Sequence, residues 1–166
     1  MRLLESNYAF IDGQNLHLSM RETGWVLDES RFLIYLSEKY GVAKAYYFLG
    51  YMKGNEALYN RLEASGYNLI YKRVLMIGGR PKGNCDSNLV MQAMIDIHEY
   101  DKAVIVTSDG DMACLVEHLR QKGKLKCVLA PRRGGCSCLL TQAAGQDIAF
   151  MEGLRNRLEY KKKSTL

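Results

Sequence analysis

Residues 102–111 read KAVIVTSDGD, an apolar run that stops at polar turn residues and two aspartates, Asp109 and Asp111. Ala103 to Val106 include no polar side chain, as expected of a parallel strand covered on both faces. Beyond the turn, Met112, Leu115, Val116 and Leu119 recur at helical spacing. The aspartates therefore stand where a strand gives way to a helix, and in open α/β sheets ligands bind at the carboxyl ends of strands. Helix capping explains either aspartate taken alone. Only further acids at the same edge would favour a site.

The rest of the chain supplies them. Tyr8 to Ile11 is a short apolar strand that ends in Asp12, Gly13, Gln14 and Asn15, a turn by composition. Leu16 to Met20 predicts a short helix before Gly24. Asp28 to Tyr40 predicts a longer one, closed by Gly41. Ala45 to Leu49 reads as a strand, Asn55 or Glu56 to Gly66 as a helix, and Tyr67 to Ile77 as one extended run. Gly78 to Gly83 reads as a loop, and it lacks the order of a phosphate-binding P-loop. Asp86 then opens a helix with a broad apolar stripe through Leu89, Val90, Ala93, Met94 and Ile97. After the 102–119 unit, Lys126 to Ala130 predicts a strand and Pro131 to Ser137 a loop. Leu139 to Ala144 predicts a helix, Ile148 to Met151 a short strand and Gly153 to Tyr160 a closing helix.

Strands alternating with helices through short connections predict a three-layer α/β/α sandwich, its mainly parallel central sheet holding five or six strands. If the first and fourth strands are neighbours at the switch point, Asp12, Asp109 and Asp111 meet in one crevice, within reach of Asp86. No repeat or linker interrupts the pattern. Residues 1–160 therefore read as one domain, with 161–166 as a basic tail.

Composition narrows the class. Hydrophobic residues make up 48% and charged residues 25%, ordinary globular usage that argues against disorder. No segment is long enough to span a bilayer, and the first residues lack a secretory pattern, so a cytoplasmic protein is expected. The five cysteines, an odd count, do not form a disulfide framework, and Cys136 and Cys138 have no second pair at zinc spacing. The net charge of +5 permits an anionic partner. Its placement is more informative than its size. Lys72, Arg73, Arg80 and Lys82 flank one loop, and Arg132 and Arg133 occupy another.

Carboxylates held close together repel one another, so they take up protons or share a cation. Oxygen ligands select Mg2+ or Mn2+ over softer metals, and Mg2+ keeps waters and accepts substrate phosphate oxygens. Basic loops would neutralise the flanking phosphates of a polynucleotide. The chemistry implied is metal-assisted phosphodiester hydrolysis. Two alternatives remain at this level: a catalytically weak RNA- or nucleotide-binding module, and a phosphohydrolase acting on small phosphate esters.

Three stretches, Ile11-Asp12-Gly13-Gln14-Asn15, Lys82-Gly83-Asn84-Cys85-Asp86 and Thr107-Ser108-Asp109-Gly110-Asp111, together resemble the NYN-domain family, LabA-like branch, of the PIN-like nuclease superfamily. The resemblance runs from about Tyr8 to Tyr160. It implies a PIN-like fold and a metal-dependent ribonuclease site built by Asp12, Asp86, Asp109 and Asp111. Asn15 then matches the family's motif asparagine, a contact to the substrate or to the residues that hold the site, and Lys82 its basic residue before the motif aspartate, a phosphate contact alongside Arg80, Arg132 and Arg133. Ser108 and Met112 stand where family members often have Gly and Phe, and neither change touches an acid. RNA is the implied partner, with DNA the alternative nucleic acid, no membrane, and a homo-oligomer left open. Asp147 reads as a surface or capping residue.

Overall fold

In the computed structural model the described residues are 5–72, 74–82 and 86–162, without the side chains at 81 and 82. Six strands form one parallel sheet: β1 (Asn7–Asp12), β2 (Val42–Gly50), β3 (Asn68–Lys72), β6 (Ala103–Val106), β7 (Leu125–Ala130) and β8 (Ile148–Phe150), in the order β3-β2-β1-β6-β7-β8. The chain winds outward one way from β1 and then, from β6, the other. The switch point thus falls between β1 and β6, where Ile11 pairs with Val106.

Period-two alternation builds both outer layers. Ala9, Ile11, Val104 and Val106 point to one face, where they pack with α1 (Gly13–Arg21), α2 (Glu29–Tyr40), α3 (Glu56–Ser65) and α7 (Arg155–Leu158). Phe10, Ala103 and Ile105 point to the other, against α4 (Asp86–Ile95), α5 (Ala113–Gln121) and α6 (Cys138–Ala144). The three-layer sandwich expected from the sequence is the observed fold. The all-apolar composition of β6 follows from helices covering it on both sides.

Local chemistry sets the boundaries. The Asp28 side chain accepts from the Arg31 N–H at 3.1 Å and opens α2, and Gly41, with φ of 65°, closes it. Two stretches differ from expectation. The extended run 67–77 is broken: β3 stops at Lys72, and β4 (Leu75–Ile77) turns back on β5 (Arg80–Lys82) as an antiparallel hairpin. Its loop is Gly78-Gly79, both with positive φ, which is what a two-residue hairpin of matching twist demands. A strand thus lies inside the stretch read as loop. The closing helix is likewise reduced to a 3-10 turn at Glu152–Leu154 followed by the four-residue α7.

Candidate metal centre at the carboxyl edge

Asp12 is the last residue of β1, and α1 begins at Gly13 without an intervening turn. So abrupt a change of direction needs a small residue. A Cβ at Gly13 would lie 2.4 Å from Tyr47 Cε1 and 2.6 Å from the Phe48 carbonyl oxygen, so only glycine lets α1 start this close to β2. Asp12 caps the helix: Oδ1 accepts the Asn15 N–H at 3.1 Å. Its other oxygen accepts the Thr107 hydroxyl at 3.1 Å, which links the ends of β1 and β6.

The second strand end is organised in the same way. Asp109 Oδ1 accepts the Asp111 N–H at 3.0 Å and opens a 3-10 turn, Gly110–Met112, that leads into α5. Thr107 Oγ1 accepts the Asp109 N–H at 3.1 Å. Asn15 reaches across from α1, its Oδ1 accepting both the N–H and the hydroxyl of Ser108, at 2.9 and 2.8 Å. On the far side the Ser137 N–H donates to the Ser108 carbonyl at 3.0 Å, which ties the 131–137 loop to the same turn. Capping and convergence are thus one arrangement, since the bonds that cap the helices aim the acids.

Asp86, the first residue of α4, completes a group: Asp12, Asp86 and Asp109 each offer a carboxylate oxygen within 4.8 Å of the others. Asp111 is exposed and lines the same cavity, about 270 Å3, together with Gln14, Asn15 and Leu18. No described residue lining that cavity is basic. Burial pushes the Asp12 carboxyl from its ordinary 3.8 up to about 6, reinforced by the charges of Asp86 and Asp109 and opposed by the Asn15 and Thr107 hydrogen bonds. Oxygen donors alone, close together and with a mutual repulsion that a bound cation would relieve, fit a hard divalent ion.

The other residues singled out from the sequence are scattered. Arg132 pairs with Glu22. The Arg133 guanidinium lies 4.2 Å from the centre of the Phe150 ring, and its backbone N–H donates to Glu152. Arg80 is exposed on β5, and the side chains of Lys82 and Arg73 lie outside the described residues. Asp147 precedes β8, which starts opposite Val128 and stands three strands from β1, away from the acids. Cys114, Cys127, Cys136 and Cys138 are free thiols. Sequence reasoning passed over Thr107, whose hydroxyl touches two of the three acids' backbones or carboxylates, and Gln14. Thr107 carried a signal, as the first polar residue after an all-apolar strand.

No helix among the described residues is long and apolar enough to cross a membrane. Comparison with known proteins agrees with the fold. The chain is 27% identical over 124 residues to the Low amplitude and bright protein LabA of Synechococcus elongatus, a match covering 68% of this chain and 67% of that protein. A crystal structure of a protein of unknown function from Vibrio parahaemolyticus superposes with a TM-score of 0.78 at 20% identity, over 91% of this chain and 95% of the other. A zinc-bound T5 5'-exonuclease matches at a TM-score of 0.43 and 13% identity, over 63% of this chain and 49% of that one, too partial a likeness to build on. The NYN domain model matches residues 8–151, and the chain belongs to the NYN domain family.

Proposed function

We propose that the protein is a divalent-metal-dependent nuclease that hydrolyses RNA phosphodiesters at Asp12, Asp86 and Asp109, with Asp111 beside them. The observation that carries this reading is the convergence of those three carboxylates within 4.8 Å, from strand and helix ends 97 positions apart at the extremes, Asp12 and Asp109. Mg2+ or Mn2+, when bound, supplies an activated water and neutralises charge on the scissile phosphate.

The chain's own residues supply geometry. Asp12, Asp86 and Asp109 would hold the ion, and Asp111 would contact its waters from the cavity wall. The Thr107 hydroxyl fixes the rotamer of Asp12, and the Asn15 side chain locks the Ser108 turn so that Asp109 keeps its aim. Preorganisation of this kind removes the cost of gathering ligands during turnover. Arg80 and Lys82, which precede Asp86 in the chain, would meet flanking phosphates. Arg132 and Arg133 would do so only by sharing their present partners, Glu22 and Phe150.

The test is cleavage of RNA and DNA oligonucleotides with Mg2+, with Mn2+ and with a chelator. Metal-dependent RNA cleavage that Asp109→Asn reduces at least a hundredfold is the expected result. Turnover of small phosphate esters with none of oligonucleotides would overturn the reading, as would cleavage unaffected by Asp109→Asn.

A further inference from the structure

Three tyrosines gather at the carboxyl ends of β2 and β3, outside the acidic centre. Tyr59, on α3, is buried and held: its hydroxyl accepts the Met52 N–H at 2.8 Å and lies 3.3 Å from the Gly50 carbonyl. Tyr51 and Tyr71 pack against it with ring centroids 5.6 and 5.1 Å away, and against each other at 5.7 Å. Both nevertheless keep much of their surface in water, 48% for Tyr51 and 39% for Tyr71. The Tyr51 N–H donates to the Lys72 carbonyl at 3.1 Å, which fixes where the strand exit leaves the sheet.

Register places this cluster relative to the acids. Asp12 pairs with Phe48, which pairs with Ile70. Tyr71 is therefore one residue further along and two strands over, and Tyr51 three residues further along and one strand over. At strand spacings of about 4.8 Å and rises of about 3.3 Å, each Cα lies about 10 Å from that of Asp12. Both offsets are odd, so alternation sets the rings on the α3 face and Asp12 on the α4 face, and a single strand reaching from one to the other would cross the carboxyl edge of the sheet. Lys53 and Lys72 flank the cluster, and neither forms an ion pair with another described residue.

We propose that Tyr51 and Tyr71 form a stacking platform for unpaired nucleobases of the substrate strand, with Lys53 and Lys72 against its phosphates. This deepens the nuclease reading and rests on it. Rings that are rigid, half exposed and next to cations are the parts from which sequence-tolerant single-strand sites are made. Base faces stack on them whatever the sequence, so the platform selects single strands over duplex, where the same faces are already covered.

Binding separates this proposal from catalysis. The Asp109→Asn protein is titrated, without cleavage, against a fluorescent RNA of about 12 nucleotides. Tyr51→Ala is expected to weaken binding about 5- to 100-fold, the range for losing one stacked base, while Tyr51→Phe restores it. Abasic substitution walked along the RNA should find one to three sensitive positions in the parent and lose them in Tyr51→Ala. The scan on the parent uses an unaltered platform, so it stands even if Tyr51→Ala unfolds. Equal affinity of Tyr51→Ala and parent, or a flat abasic scan, overturns the platform. So does an altered sedimentation coefficient in Tyr51→Ala with RNA binding unchanged, because the patch would then be a protein contact. Failure of the nuclease reading would appear elsewhere, as absent metal-dependent cleavage by the unmodified protein.

Discussion

Asp12→Asn, an isosteric change that removes one charge, should stabilise the metal-free protein at neutral pH while abolishing its metal response. Asp12 is 4% exposed, and its carboxyl is pushed up to about 6, by burial first and then by Asp86 and Asp109. For an acid raised in the folded state, the stability that protonation contributes is complete below the ordinary value of 3.8 and is lost as pH rises through about 6. That displacement corresponds to about 3 kcal/mol. The asparagine cannot ionise, so it escapes the loss. Its Oδ1 keeps the Asn15 N–H, and the Thr107 hydroxyl can rotate to accept from the new NH2 at a cost of about 1 kcal/mol.

The net expectation at pH 7.5 with a chelator is about 2 kcal/mol in favour of the variant, or roughly 4–8 °C in Tm for a domain of this size. At pH 4 the order reverses slightly. The decisive quantity is the change in the difference between parent and variant from pH 4 to 7.5, about 2.5 kcal/mol, from which any constant packing cost cancels. Urea unfolding across that range measures it. Adding Mg2+ at about a hundred times its Kd should then raise the parent by about 2.7 kcal/mol and leave the variant nearly unmoved. A constant offset between the two proteins at every pH would refute the electrostatic account of the cluster, and an equal response to Mg2+ would refute Asp12 as a ligand.

Two further substitutions probe the frame that aims the acids. Asn15→Ala removes the acceptor of both the Ser108 N–H and its hydroxyl, and Ser108 is buried, so urea unfolding should show a loss of about 1–3 kcal/mol. Cleavage should fall through kcat while oligonucleotide affinity holds, and equal loss in both would place Asn15 on the substrate instead. Gly13→Ala sets a methyl 2.6 Å from a backbone oxygen that cannot swing aside, so α1 must shift, at about 1–3 kcal/mol by thermal unfolding. Calorimetric Mg2+ affinity should drop with it, because Asp12 is the preceding residue. An unchanged Tm would mean that the contact with Tyr47 and Phe48 is looser than drawn.

What the sequence made legible follows from how far each signal reaches along the chain. The parallel sheet was readable because Ala103 to Val106 and Tyr8 to Ile11 each carry their burial in their own composition. The meeting of Asp12 and Asp109 needed one topological rule more, that strands on either side of a switch point are neighbours, and β1 does pair with β6. The hairpin was misread because Pro81 and three glycines look like irregular chain, although Gly78-Gly79 between extended residues is itself a turn signature. The tyrosine cluster was invisible for a different reason. Tyr51, Tyr59 and Tyr71 come from two strand exits and a helix, so nothing in their spacing joins them, and only the register of β2 with β3 does. Capping and catalysis proved equally inseparable in sequence: an aspartate at a helix start satisfies both descriptions, and Asp12 fits both in space. Its Oδ1 holds α1 in place while the same carboxyl faces two other acids. Sequence can therefore nominate such an acid by its place at a strand end, but the bland and the functional readings part only when charge is removed from it. Losing a cap alone would destabilise the protein at every pH, whereas relieving a crowded carboxylate gives a benefit that grows from the ordinary carboxylate pKa to the raised one and is full only above it.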